Sequence, residues 1–135
     1  MIDSIFVNLT TEPFMDFAMR GKGYEIRGYG RGFTEHYVYT GRRVELRWAW
    51  SRGSLWGTIG EVVVGTLDEI LDKIDYKQIE PRAVSREEAV SEINKTLKNK
   101  PEKYIAFQVI LDSTEIQPVV KRAKQKDDMQ LKFEF

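Results

Sequence analysis

The stretch Arg20-Gly21-Lys22-Gly23-Tyr24-Glu25-Ile26-Arg27 decides how the chain folds. Upstream, Phe14, Phe17 and Ala18 fall at helical spacing on one face, and Gly21 ends that helix. Two glycines then turn the chain into a short strand at Tyr24–Arg27. Alternation places Glu25 and Arg27 on one strand face and Tyr24 and Ile26 on the other. A lysine, a glutamate and an arginine thus meet within six residues at a helix-to-strand turn. Such a cluster is a candidate functional surface, and an ordinary ion pair beside a helix stop gives the same pattern.

Working outward, Ile2–Leu9 reads as a first strand. Thr10 or Thr11 can cap the helix, which carries Glu12 and Pro13 in its first turn. After the loop Gly28-Tyr29-Gly30-Arg31-Gly32, two segments alternate like strands, His36–Thr40 and Arg43–Trp50. In the second, Val44, Leu46, Trp48 and Trp50 share one face, which the pattern assigns to the core. Leu55–Gly65 is a further strand, with Gly57 and Gly60 suggesting a bulge or bend. Two helices follow, opened by the capping boxes Thr66-Leu67-Asp68-Glu69 and Ser85-Arg86-Glu87-Glu88. Tyr104–Leu111 is a strongly apolar strand, Lys121–Asp128 a charged connection, and Met129–Phe135 an alternating strand. Short strands with helices inserted predict an α+β domain, a small, mostly antiparallel β-barrel with helices over its openings.

The 135 residues suit one domain, 41% hydrophobic and 31% charged, as in an ordinary folded protein. The start of the chain lacks the basic and apolar segments of a signal peptide, and no apolar run is long enough for a membrane helix, so a cytoplasmic location without a membrane partner is expected. No cysteine is present and His36 is the single histidine. Thiolate chemistry, cysteine–zinc sites and multi-histidine metal sites are therefore excluded, and no metal or cofactor is expected. Net charge is zero but unevenly spread: residues 20–52 hold eight bases and three acids, and residues 61–93 nine acids and four bases. An arginine-rich half can hold an anion or a nucleic acid without a high overall pI. A solvated barrel surface balanced by acidic helices would look the same.

Three segments in this order resemble the ASCH domain family, a branch of the PUA-like superfamily of small barrels. They are Phe14–Arg27, with its Gly-Lys and Glu-Ile-Arg strand; Gly41-Arg42-Arg43-Val44 with Gly57–Gly65; and Thr66–Ile93, leading into Lys103-Tyr104-Ile105-Ala106-Phe107-Gln108-Val109. The resemblance covers about residues 5–111, and 112–135 form an extension, read as a strand addition or a dimerisation element within a single 1–135 domain. It implies a PUA-like barrel with a cleft lined by Lys22–Arg27 and a role in RNA binding and RNA metabolism. Some bacterial members are amidohydrolases that remove an acetyl group from a modified cytidine nucleoside. They carry a Lys-Thr-x-Thr-x-Arg strand and a later helical glutamate. Lys22 matches the lysine and Arg27 the arginine, while Glu25 stands at the second threonine; Arg82 falls near the place of the glutamate, with Glu80 two residues away.

The leading expectation is a module that binds RNA or a nucleotide-like ligand in a basic cleft around Lys22–Arg31. Its candidate ligand contacts are Lys22, Tyr24, Glu25, Arg27, Tyr29, Arg31, Arg43 and Arg47. The cations would hold phosphates, and Glu25 would accept hydrogen bonds from a base amino group. Tyr24, Tyr29, Trp48, Trp50 and Trp56 are the candidates for stacking on bases, with Tyr29 preferred because the face of Trp48 and Trp50 is assigned to the core. The alternative is a hydrolase, of the acetylcytidine amidohydrolase type or a ribonuclease, with Lys22 and Glu25 as a catalytic acid–base pair. The third is an interaction module that homodimerises through a free strand edge.

Overall fold

The computed structural model describes residues 3–97 and 100–119. Its strands are β1 (Ser4–Leu9), β2 (Tyr24–Gly28), β3 (Arg43–Trp48), β4 (Gly53–Gly65) and β5 (Tyr104–Leu111). They form one sheet in the order β1-β3-β4-β5-β2. The β1–β3 pair is parallel and the other pairs are antiparallel. The sheet curls into a half-barrel with the helices α1 (Thr11–Met19), α2 (Leu67–Lys73) and α3 (Arg86–Thr96) packed around it. This is the expected α+β, PUA-like architecture.

Both faces of β5 are buried over its first four residues, Tyr104 to Phe107, which explains the apolar start of the strand, while Gln108 is half-buried and Ile110 is exposed. Ile105, Phe107 and Val109 join the inner core with Phe14 and Phe17 of α1, Val44, Leu46 and Leu55. Tyr104 and Ala106 join the second core beneath α2 and α3, with Tyr24, Ile26, Ile70, Leu71 and Ile93. The same division governs β2. Tyr24 and Ile26 enter the helix-side core, while Glu25 pairs opposite Phe107 and so faces the barrel interior. The alternation at Tyr24–Arg27 therefore separates a packing face from a charged one.

Local signals explain the element ends. In α2, Thr66 and Glu69 make both halves of the capping box. In α3, the Ser85 hydroxyl accepts from the Glu88 amide at 3.1 Å, but the Glu88 carboxylate accepts from Val84 N instead of Ser85 N. Gly21 has φ 78° where the chain leaves α1, and the Lys22 amide donates back to Asp16 O at 3.0 Å. The bulge predicted in β4 lies between Ile59 and Val62. Gly57 is required by packing: a Cβ there would come within 2.6 Å of Ile110 O on β5.

Two expectations are corrected. His36–Thr40 forms turns, not a strand. The Tyr37 and Val38 amides both donate to Thr34 O, at 3.0 and 2.9 Å. Val38 is fully buried, whereas the Tyr37 and Tyr39 rings lie beside the Arg42 guanidinium at 5.1 and 5.2 Å. The alternation thus arises from an anchored turn with arginine-covered rings. The second concerns Trp50, expected in the core with Val44 and Leu46. β3 ends at Trp48, which is half-buried and stacks on Phe14 at 5.6 Å. Trp50 lies beyond the strand end in the turn and is 62% exposed. The strand expected at Met129–Phe135 lies outside the described residues.

Candidate functional site

Lys22 is anchored where α1, β2 and the segment after α2 meet. Its neighbour Gly23 is fixed on both sides, the amide donating to Gln78 O at 2.8 Å and the carbonyl accepting from Val109 N at 2.9 Å. The Lys22 side chain is 3% exposed. Its Nζ donates to Ile79 O at 2.5 Å, lies 3.5 Å from Glu25 Oε1, and sits 5.3 Å from the centre of the Phe17 ring. The other Glu25 oxygen accepts from Arg27 Nε at 2.8 Å. Arg27 continues the chain of contacts: Nη2 donates to Asn8 O at 3.2 Å, and the guanidinium lies 4.9 Å from the Phe33 ring centre. One side chain thereby bridges β2 and β1, the two edge strands of the half-barrel.

Asp16 closes the other wall. It is 2% exposed and accepts from Arg20 at 2.7 Å and from Arg82 at 3.0 and 3.3 Å. Glu80 stands between the two ion-pair systems and makes no side-chain hydrogen bond among the described residues. Burial raises the Glu80 carboxyl above its ordinary value of 4.5, Asp16 and Glu25 add to the rise, and Lys22 and Arg82 oppose it. These groups line a cavity of about 280 Å³. Its lining carries the acids Glu12, Asp16, Glu25, Glu80 and Glu92 against the bases Lys22 and Arg82. The walls next to Lys22 are thus richer in carboxylates than in cations.

The raised Glu80 carboxyl has a sign-determined consequence. Below about pH 4.5 the group holds its proton in both folded and unfolded chains. As pH rises, the unfolded chain ionises first and gains relative to the folded one, so Glu80 costs stability up to and beyond its folded pKa. Glu80→Gln should therefore melt like the wild type near pH 4 and progressively above it towards pH 7. Parallel melting curves across that range would contradict this environment.

The same architecture occurs in solved structures. The hypothetical protein PH0355 superposes with a TM-score of 0.63 at 18% identity, over 86% of this chain and 99% of that one. The ASCH protein of Zymomonas mobilis superposes with a TM-score of 0.56 at 13% identity, over 95% and 82% of the two chains. The fold is ASCH-like. No family model and no curated protein matches the sequence. With identities this low, the likeness is one of fold, and the site rests on the residues described.

Beside the carboxylate-lined pocket, the ASCH-like barrel has a larger groove of about 560 Å³. Arg27, Tyr29, Arg31 and Phe33 line it, and Thr96 and Leu97 are common to both cavities. Arg31, at φ 52°, is exposed and has no hydrogen-bond or ion-pair partner among the described residues. The Tyr29 hydroxyl donates to Glu35, and one approach to its ring is taken by Lys103 Nζ, 4.2 Å from the centroid.

Of the residues expected at the site, Lys22, Glu25, Arg27, Tyr29 and Arg31 come together around these two cavities. Tyr24 faces the helix-side core, its hydroxyl donates to Glu61 at 2.6 Å, and burial pushes its pKa up to about 12. Arg43 and Arg47 alternate with Val44 and Leu46 and lie on the outer sheet face. Arg43 pairs with Asp112 at 2.6 Å and Arg47 with the buried Glu45 at 3.0 Å. Asp16, Glu80 and Arg82 complete the pocket; the sequence placed Arg82 and Glu80 near the family's helical glutamate without matching either, and Asp16 was not a candidate. Asp16 carried no periodic signal: two residues from Phe14, it projects away from the stripe of Phe14, Phe17 and Ala18, and its burial arises only in the tertiary structure. Glu80 lies in a turn before Pro81, where no periodicity marks it.

Among the described residues no group of acids and histidines is arranged to hold a metal ion, and no helix is long and apolar enough to cross a membrane.

Proposed function

We propose that this ASCH-like barrel binds a nucleotide-like ligand, with the base in the Lys22 pocket and the phosphate on Arg31. The carrying observation is the pairing of a small carboxylate-lined cavity with an adjoining arginine groove. Base edges offer amino and ring N–H donors, for which Glu25 and Glu80 are acceptors. A protonated Glu80 can instead donate to a base carbonyl. Phosphate needs an available guanidinium, and Arg31 has no hydrogen-bond or ion-pair partner among the described residues, whereas Arg27 is already committed to Glu25 and Asn8. The acid-rich walls disfavour the deep passage of a phosphate backbone, so the pocket suits one unstacked base, from a free nucleotide or from single-stranded RNA.

The raised carboxyl of Glu80 beside Lys22 favours a second reading, hydrolysis of an amide on such a base, as the resemblance implies for acetylated cytidine. Glu80 would take a proton from water as its oxygen bonds to the acyl carbon, and Lys22 would stabilise the acyl oxyanion. The C–N bond then breaks, the departing amine takes the proton, and the acid is released.

Calorimetric titration of mononucleotides against wild type and Arg31→Ala tests the binding reading. Loss of one phosphate contact should weaken binding about tenfold, and the difference should shrink as salt is raised from about 50 to 200 mM. Equal affinity of the two proteins would remove the phosphate from Arg31. Release of acid from an acylated cytidine, abolished in Glu80→Gln, would establish the hydrolytic reading.

A further inference from the structure

The turn joining β3 to β4 opposes the ordinary preferences of its residues. Ala49 and Trp50 both lie in the left-handed region, at φ 48° and 70°. Hairpin turns of this kind usually take Asn or Gly, and a bulky aromatic residue there is unusual. Four hydrogen bonds hold the conformation, one of them closing around Trp50 itself, from Ser51 N to Ala49 O at 2.8 Å. Trp50 N donates to Asn8 Oδ1 at 2.5 Å, Ala49 N to Leu9 O at 2.8 Å, and Arg52 N to Trp48 O at 2.9 Å. The consequence is a displayed indole, 62% exposed, whose contact with the Phe6 ring is edge-on at 6.1 Å. Left-handed residues held in an exposed aromatic turn are found more often at functional sites than elsewhere.

The surroundings are cationic and planar. The Arg47 guanidinium lies 4.0 Å from the Phe6 ring centre, and that of Arg52 lies 5.0 Å from Trp48. Arg52 has no carboxylate partner among the described residues, and Trp48–Gly53 contains no acid. Asn8 ties this turn to the first site: its side chain accepts from Trp50 and its carbonyl from Arg27. An exposed ring with adjacent arginines is the combination that holds unpaired bases and their phosphates. An apolar protein surface would need no such cations.

We infer that Trp50 is a stacking platform for a base of single-stranded RNA, flanked by Arg52 for the adjacent phosphate. The inference deepens the nucleotide reading of the Lys22 site, since it takes Asn8 as the link along which one strand reaches both places. It assigns an extended strand, not an isolated nucleotide, as the complete ligand.

The test is fluorescence anisotropy of a labelled single-stranded RNA of about eight nucleotides, with unlabelled mononucleotide titrated separately by calorimetry. Wild type, Trp50→Ala and Trp50→Phe are compared. Trp50→Ala should weaken RNA binding about tenfold, leave mononucleotide affinity unchanged, and be largely restored in Trp50→Phe. RNA affinity unchanged in Trp50→Ala, with the mononucleotide still bound, would overturn the platform and leave the pocket standing. A Trp50-dependent RNA affinity with no mononucleotide binding would support the platform and count against the pocket. Absence of RNA binding with a dimer lost in Trp50→Ala would assign the face to a second copy of the chain and overturn the inference.

Discussion

Lys22→Met should abolish measurable nucleotide binding and destabilise the fold by about 2–3 kcal/mol. Methionine keeps an aliphatic side chain of similar length and removes the ammonium, with its donors and its contact with the Phe17 ring. Breaking a buried ion pair ordinarily costs about 3–5 kcal/mol, because the remaining charge is left without compensation. The loss here falls short of that range for two reasons. Arg27 still holds Glu25 at 2.8 Å, and Glu80 can relieve its own burial by keeping a proton at higher pH. The Ile79 carbonyl loses the donor now 2.5 Å away. Denaturant unfolding gives the stability term, and a mononucleotide titration gives the affinity. Wild-type affinity in a folded Lys22→Met protein would move the ligand out of this pocket.

Phe107→Ala should cost about 3–5 kcal/mol, the largest purely structural loss. Phe107 is fully buried at the centre of the inner core. It pairs across the sheet with Glu25 on one side and Val62 on the other. Its ring also stacks on Phe33 at 6.2 Å, and Phe33 carries the Arg27 guanidinium. Removing the ring therefore leaves a cavity and loosens the support under the groove. Nucleotide affinity should fall in this variant even under conditions where the protein remains folded. A loss below about 1 kcal/mol would show that the site collapses and that Phe107 is not the keystone of the inner core.

Much of this was legible in the sequence because period and chemistry agreed. Tyr24-Glu25-Ile26-Arg27 alternates strictly, and the structure sends Tyr24 and Ile26 to one core and Glu25 to the barrel interior. The capping residues Thr66 and Ser85 marked their helix starts, and Gly60 marked the bulge in β4. Alternation misled where rings cover arginines instead of packing in a sheet, as at Tyr37 and Tyr39. It also misled at Trp50, where a hairpin turn intervenes before the pattern can continue. Composition alone could not show that the pocket beside Lys22 is lined mainly by carboxylates. Asp16 and Glu80 come from segments far apart in sequence and meet only through the packing of α1 against the turn after α2. The arginines at 43 and 47 inflate the local positive charge, but alternation turns them to the outer sheet face, where Asp112 and Glu45 pair with them.

The central claim is that the pocket of Lys22, Glu25 and Glu80, together with Arg31, is one ligand site. Titrating a mononucleotide into uniformly labelled protein and following backbone amide shifts by NMR tests it most directly. The largest shifts should cluster at residues 22–31, 80–82 and 96, with little change at residues 43–47. Shifts concentrated on the outer sheet face around Arg43, Arg47 and Trp56, or none at saturating ligand, would contradict it.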